Sequence, residues 1–137
     1  HQILKSLKNY KKLKKEEIFN ILSNETFLVR ENGSGTRILL DRFLDSVGQG
    51  IQFDKKEFSS NEAIKEGVLA GLGIAMISAS TAQNELNDGK IKSINLPNLP
   101  IIRQWFLVNL LETNLDPDVM MFKKFLLENK LELMPGK

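Results

Sequence analysis

The chain has 137 residues, enough for one ordinary domain with its own core and short for two. Its 42 % hydrophobic and 26 % charged residues are those of a soluble globular protein, and no window approaches the roughly 20 apolar residues of a membrane span. It holds no cysteine, which excludes disulfides and thiolate metal sites and fits a reducing cytoplasm, and its net charge of +2 is unevenly placed.

The positive charge sits at the start, where Lys5, Lys8, Lys11, Lys12, Lys14 and Lys15 crowd together. A basic run is one footprint of a nucleic-acid surface. This one contains no arginine, has a single aromatic in Tyr10, and is followed at once by Glu16-Glu17, so it reads as a solvated connecting segment. His1-Gln2-Ile3-Leu4 leads into these lysines without the apolar stretch or cleavage site of a secretory signal.

Lys15 to Leu22 is the first expected helix, with Ile18, Phe19 and Leu22 on one side, and Ser23 to Thr26 breaks it. A β-prone run, Phe27 to Val29, then meets the breaker cluster Asn32-Gly33-Ser34-Gly35. Leu39, Leu40, Phe43, Leu44 and Val47 follow at the spacing of one helical face, and Gly48-Gln49-Gly50 ends that helix. Strand, small-residue turn and helix start together make a concave spot whose outward N–H groups suit an anion or a small polar ligand. Ile51 to Phe58 alternates in part and reads as a strand.

Ser59 and Glu62 have capping-box spacing, with Ser60 and Asn61 as rival caps for a helix carrying Ile64, Val68, Leu69 and Leu72 inward. Gly71-Leu72-Gly73 closes it, and Ile74 to Ser78 is the apolar run expected of a strand covered on both faces. Ser80 with Gln83 starts another capped helix ending at Gly89. Lys90 to Leu96 is a weak strand, and Ile101 to Leu111 a longer one. Asp116 as N-cap and Pro117 at the first helical position begin the last helix, with Val119, Phe122, Phe125 and Leu126 on its apolar face. The alternation predicts an α/β fold, a mixed and mostly parallel sheet with helices on both faces.

Three segments in register resemble the effector-binding domain of LysR-type transcriptional regulators. They are Arg30-Glu31-Asn32-Gly33-Ser34-Gly35-Thr36-Arg37, then Ser60 to Lys65 running into Ala70-Gly71-Leu72-Gly73-Ile74-Ala75, and Arg103-Gln104-Trp105. The likeness is strongest to the branch that includes regulators of carbon-fixation and cysteine-biosynthesis operons. It implies a periplasmic-binding-protein-like (type 2) lobe and a small-molecule effector held in a cleft between two lobes. It also implies a homo-oligomer that meets promoter DNA through a separate helix-turn-helix. His1-Gln2-Ile3-Leu4 is similar to the family's His-Pro-Leu-Ala segment. On that analogy residues 1–25 connect from a first lobe, 26–99 are the second lobe, and 100–137 are a strand and helix returning to the first. The DNA-binding helices and the first lobe's opening elements then lie outside this chain.

Open α/β sheets bind ligands beyond the carboxyl ends of their strands. The candidate effector-binding residues are therefore Arg30, Glu31, Ser34, Gly35 and Thr36 at one helix start, and Ser59, Ser60 and Asn61 at the other. From residue types alone Ser34 and Ser59 equally well cap helices; the resemblance turns both starts toward the cleft and an anionic metabolite. Arg30 and Glu31 either line that cleft or pair with each other. Arg37, unfavourable to the dipole in a first helical turn, is a further ligand-facing candidate. Trp105 reads as core or lobe-interface packing. Catalysis finds no machinery: the single histidine is His1, so Ser34 lacks a base, Ile38 stands where a nucleotide loop needs its third glycine, and Asp41 and Asp45 read as solvated. One histidine and no cysteine leave no transition-metal cluster, and no cofactor is expected. A stand-alone binding-protein-like module for a small oxyanion is the alternative reading.

Overall fold

The computed structural model describes residues 14–48, 50–110 and 116–133, and the chain divides into two compact units, His1–Ile101 and Ile102–Lys137. The basic run before Lys14, Gln49 and Leu111 lie outside the described residues.

In the first unit, α1 (Lys15–Leu22), β1 (Phe27–Arg30), α2 (Gly35–Gly48), β2 (Lys55–Phe58), α3 (Asn61–Leu69) and β3 (Ile74–Ala75) alternate. A 3-10 turn, Ala79–Ala82, leads into the short α4 (Gln83–Asn87). The strands form one sheet in the order β2-β1-β3, and both ladders are parallel. Where the sequence predicts a mixed sheet, there is no antiparallel strand among the described residues. A right-handed crossover from β1 out to β2 and another from β2 back past β1 to β3 must lie on opposite faces, because the two steps run in opposite directions.

The central strand shows the consequence. Phe27, Leu28 and Val29 are all buried, as a strand covered on both faces requires. Phe27 and Val29 join the main core with Ile18, Leu22, Leu40, Phe43, Leu44 and Val47 from α1 and α2. Phe53 stacks edge-on against Phe19 and Phe27, at ring separations of 5.9 and 5.7 Å. Leu28 points the other way, where a Cβ built on Gly67 of α3 would come within 2.8 Å of its Cδ1. The two-residue period of β1 thus divides the core between the faces.

Several expected strands are shorter or absent. The ladder of the second strand holds Lys55 to Phe58 and not the alternating Ile51 and Phe53; Ile51 is exposed and Phe53 is a core residue outside the ladder. Ile74 to Ser78 contributes only two residues, both half-buried. Residues 90–96 form no strand, although Leu96 is buried and Ile94 packs against the main core. The 3-10 turn replaces the start expected at Ser80, whose hydroxyl lies 2.8 Å from that of Ser78.

The helix ends follow expectation more closely. At the end of α3, Gly71 takes φ +76°, its N–H donates to Val68 O, and Leu72 N–H donates to Gly67 O, the paired bonds that close a helix with a left-handed residue. Lys65 of α3 reaches Glu85 of α4 at 2.8 Å, an ion pair that fixes the short helix on this face.

The second unit contains α5 (Pro117–Glu128) and α6 (Lys130–Leu133). Asp116 caps α5 as expected, its carboxylate accepting from Asp118 N–H at 2.9 Å, with Pro117 at the first position. Residues 101–110 form no strand, contrary to expectation, because no ladder partner meets them among the described residues and a strand exists only as part of a ladder. Trp105, read as core or interface packing, is 73 % exposed, and Val119, Phe122 and Phe125 are exposed as well. Among the described residues no helix is long and apolar enough to cross a membrane.

Candidate functional site

In the parallel ladder Arg30 pairs with Phe58, so β1 and β2 end side by side at the same sheet edge. Each strand then turns into a helix. After β1, Ser34 N–H donates to Glu31 O at 3.2 Å, closing a turn whose third residue, Gly33, has φ +89°. That conformation favours glycine over any residue with a Cβ. Ile38 N–H donates to Ser34 O at 3.0 Å, the opening bond of α2. The N–H groups of Gly35, Thr36 and Arg37 have no carbonyl four residues back within the helix, so they are left for another acceptor.

After β2, Ser60 is the N-cap of α3. Its hydroxyl accepts from Ala63 N–H at 3.0 Å and its carbonyl from Ile64 N–H at 3.2 Å. The structure therefore chooses Ser60 over the Ser59–Glu62 capping box, and the exposed Ser59 does not cap the helix. Ser60→Ala is expected to lower stability by about 1 kcal/mol in chemical denaturation, the usual cost of an N-cap hydroxyl, with Ser59→Ala near zero.

One side chain spans the two helix starts. Arg30 Nη1 lies 3.4 Å from Asn61 Oδ1, a long hydrogen bond across 31 positions of sequence. Its Nε and Nη2 donate to Glu31 Oε2 and Oε1, each at 2.7 Å. The pairing of Arg30 with Glu31 that the sequence allows is therefore present. These hydrogen bonds, with the guanidinium charge, hold the Glu31 carboxyl below its ordinary value, and reciprocally raise that of Arg30.

Arg37 is engaged within the lobe. Its Nε donates to Asp41 Oδ2 at 2.8 Å, one helical turn on, and its Nη1 to the carbonyl of Arg30 at 3.1 Å. Asp41 also accepts from Lys55 Nζ at 2.7 Å, which ties α2 to the exposed strand β2. Partial burial pushes the Asp41 carboxyl up, but Lys55 and Arg37 together outweigh it and leave it lowered. Asp41, solvated by its sequence pattern, is instead a hub between α2 and β2, and the i,i+4 spacing of Arg37 and Asp41 is the local signal for it.

The structure thus brings Arg30, Glu31 and Asn61 together and sets Ser34, Gly35 and Thr36 at the neighbouring helix start. Ser34 and Thr36 are half-buried and Gly35 is exposed. A Cβ at Gly35 would meet nothing within 4 Å. Among the described residues, no group of three or more histidine, cysteine or carboxylate residues stands together to hold a metal ion.

The first unit is thus a parallel lobe with two polar helix starts at one edge, and comparison with known proteins gives it a family. The LysR substrate binding domain matches residues 8–130. The chain is 41 % identical over 115 residues to the HTH-type transcriptional regulator CbbR of Cereibacter sphaeroides, covering 84 % of this chain and 37 % of the relative. It is 40 % identical over 114 residues to CbbR of Xanthobacter flavus, covering 83 % and 34 %. Against the RuBisCO operon transcriptional regulator of Allochromatium vinosum it is 37 % identical over 106 residues, covering 77 % and 35 %. The chain therefore spans about a third of the length of the curated relatives it matches. No solved structure gives a significant match. These relatives are regulators and not enzymes, and they stand on the carbon-fixation side of the resemblance seen in the sequence. With most of its length matched, and with a type 2 periplasmic-binding-protein-like lobe to match, this chain belongs to the LysR substrate-binding domain family of transcriptional regulators.

Proposed function

We propose that this chain is the effector-sensing part of a longer cytoplasmic LysR-type regulator, and that residues Arg30, Glu31, Ser34, Gly35, Thr36, Ser59, Ser60 and Asn61 form one wall of its effector cleft. Residues 26–99 are its second lobe, 1–25 the connection from a first lobe, and 100–137 the segment that returns to that lobe. The observation that carries this reading is the shared edge. Arg30 at the end of β1 reaches Asn61 at the start of α3, beside the unpaired first-turn N–H groups of α2. Helix N-termini and a guanidinium favour an anion, so the effector is a small carboxylated or phosphorylated metabolite. The exposed Trp105, Phe106, Phe122 and Phe125 are consistent with a segment whose cover lies in the first lobe or in another copy of an oligomer.

The test is made on the full-length regulator, whose DNA contacts run through a helix-turn-helix outside residues 1–137. Retardation of promoter DNA is measured with and without a panel of carboxylated and phosphorylated metabolites, alongside calorimetry of the same panel. The expected result is one metabolite that binds and alters retardation, with Arg30→Gln weakening its binding by about tenfold, the loss of one charge-assisted contact. A protein that retards no promoter DNA and binds none of the panel sinks the reading.

A further inference from the structure

The strongest unexplained feature of this edge is that its arginine is already occupied. Arg30 and Glu31 meet through two parallel hydrogen bonds of 2.7 Å, the bidentate arrangement in which arginine recognises a carboxylate or a phosphate from a ligand. The carboxylate is supplied by the next residue in the chain, so it is always at hand. The third contact of the guanidinium, to Asn61, turns it toward the start of α3. Arg30 has 22 % of its side chain exposed and Glu31 45 %, so the acid has solvent to turn into and the base has less.

We infer that Glu31 is a built-in competitor for the effector's anionic group. It fills the guanidinium fork of Arg30 in the empty cleft and must be displaced before a ligand carboxylate or phosphate binds there. This rests on the reading of these helix starts as the effector wall and adds a selection rule to it. A simple monoanion exchanges one carboxylate for another and gains little. A ligand that brings a second polar group to the first-turn N–H groups of α2 adds interactions that Glu31 cannot offer, so Glu31 selects for ligands with two heads.

Calorimetry of the full-length regulator with inorganic phosphate as the probe tests this. Glu31→Gln is expected to tighten phosphate binding by about tenfold, while the added change Arg30→Gln removes that gain. A surface ion pair with no other role predicts no change in phosphate affinity. Glu62→Gln separates fork occupancy from bulk charge, because Glu62 also acts on Arg30 through space. Its gain is expected to be well below that of Glu31→Gln, and equal gains overturn the inference. If the wild type binds phosphate and Glu31→Gln binds it no better, Glu31 is no competitor, while the effector reading stands. If neither protein binds phosphate and no metabolite of the wider panel binds or alters DNA retardation, both fail together.

Discussion

Gly73→Ala is expected to cost about 3 kcal/mol or more of folding stability, measured as a shift of the denaturant midpoint at unchanged slope. A Cβ at this position would lie 2.2 Å from the carbonyl oxygen of Thr26 and 3.1 Å from Leu28 Cδ2. The oxygen is backbone, and it is held in place. It accepts from Ile74 N–H at 3.0 Å, while the Thr26 hydroxyl donates to the Asp54 carboxylate and Phe27 N–H donates to Asp54 O at 2.9 Å. A methyl group at residue 73 can be admitted only by parting β3 from β1, which breaks the ladder at one of its few bonds. Overpacking of a core by a methylene alone costs about 1–3 kcal/mol, and the rigid backbone obstacle puts this case at or above the upper end. Two other glycines serve as controls. Gly71 has open space but φ +76°, so Gly71→Ala is expected to cost about 1 kcal/mol through the left-handed conformation alone. Gly35 has open space and no such φ, so Gly35→Ala is expected to be neutral or slightly stabilising, since alanine suits a helix better. An order other than 73, 71, 35 contradicts the close approach of β3 to β1.

This close approach shows where the sequence was legible and where it was not. Local signals are legible at Asp116-Pro117, at Gly71 and along the apolar face of α2, because capping and helical periodicity depend only on near neighbours. The strands were harder. Ile51 and Phe53 alternate with polar neighbours only in part, and the ladder forms instead through Lys55, Lys56, Glu57 and Phe58, a largely exposed edge whose charges discourage further pairing. Alternation is a local pattern, whereas pairing is decided by a partner distant in sequence. The same holds at 101–110, where apolar residues in number met no partner strand among the described residues. At the candidate site, the breaker cluster and the rival caps marked the two helix starts. That Arg30 reaches Asn61 is a product of the register of β1 on β2, and no local pattern encodes it. The three motifs in register carry the family resemblance, because together they hold information about the whole arrangement that spacing within one element does not.

The division of the core between the two faces of β1 makes a second large effect testable. Leu28→Ala is expected to destabilise by about 3 kcal/mol, within the range for a fully buried leucine, because Leu28 is 1 % exposed between β1 and α3. Leu44→Ala, on α2, is expected to cost a similar amount from the opposite face. The informative quantity is how these changes combine. Leu28 lies outside the cluster that contains Leu44, so their costs are expected to add to within about 0.5 kcal/mol. Gly67→Ala is different, because its new methyl would meet Leu28 Cδ1 at 2.8 Å and Phe58 Cζ at 3.4 Å. Alone it is expected to cost about 1–2 kcal/mol, the overpacking partly offset by better helix propensity. Combined with Leu28→Ala, the methyl fills part of the cavity that the leucine leaves, and the double variant should be more stable than the sum of the singles by about 1 kcal/mol or more. A double-mutant cycle by denaturation measures both couplings. Strong coupling of Leu28 to Leu44 together with none to Gly67 would put Leu28 on the α2 side of the sheet, against the division of the core between the two faces of β1.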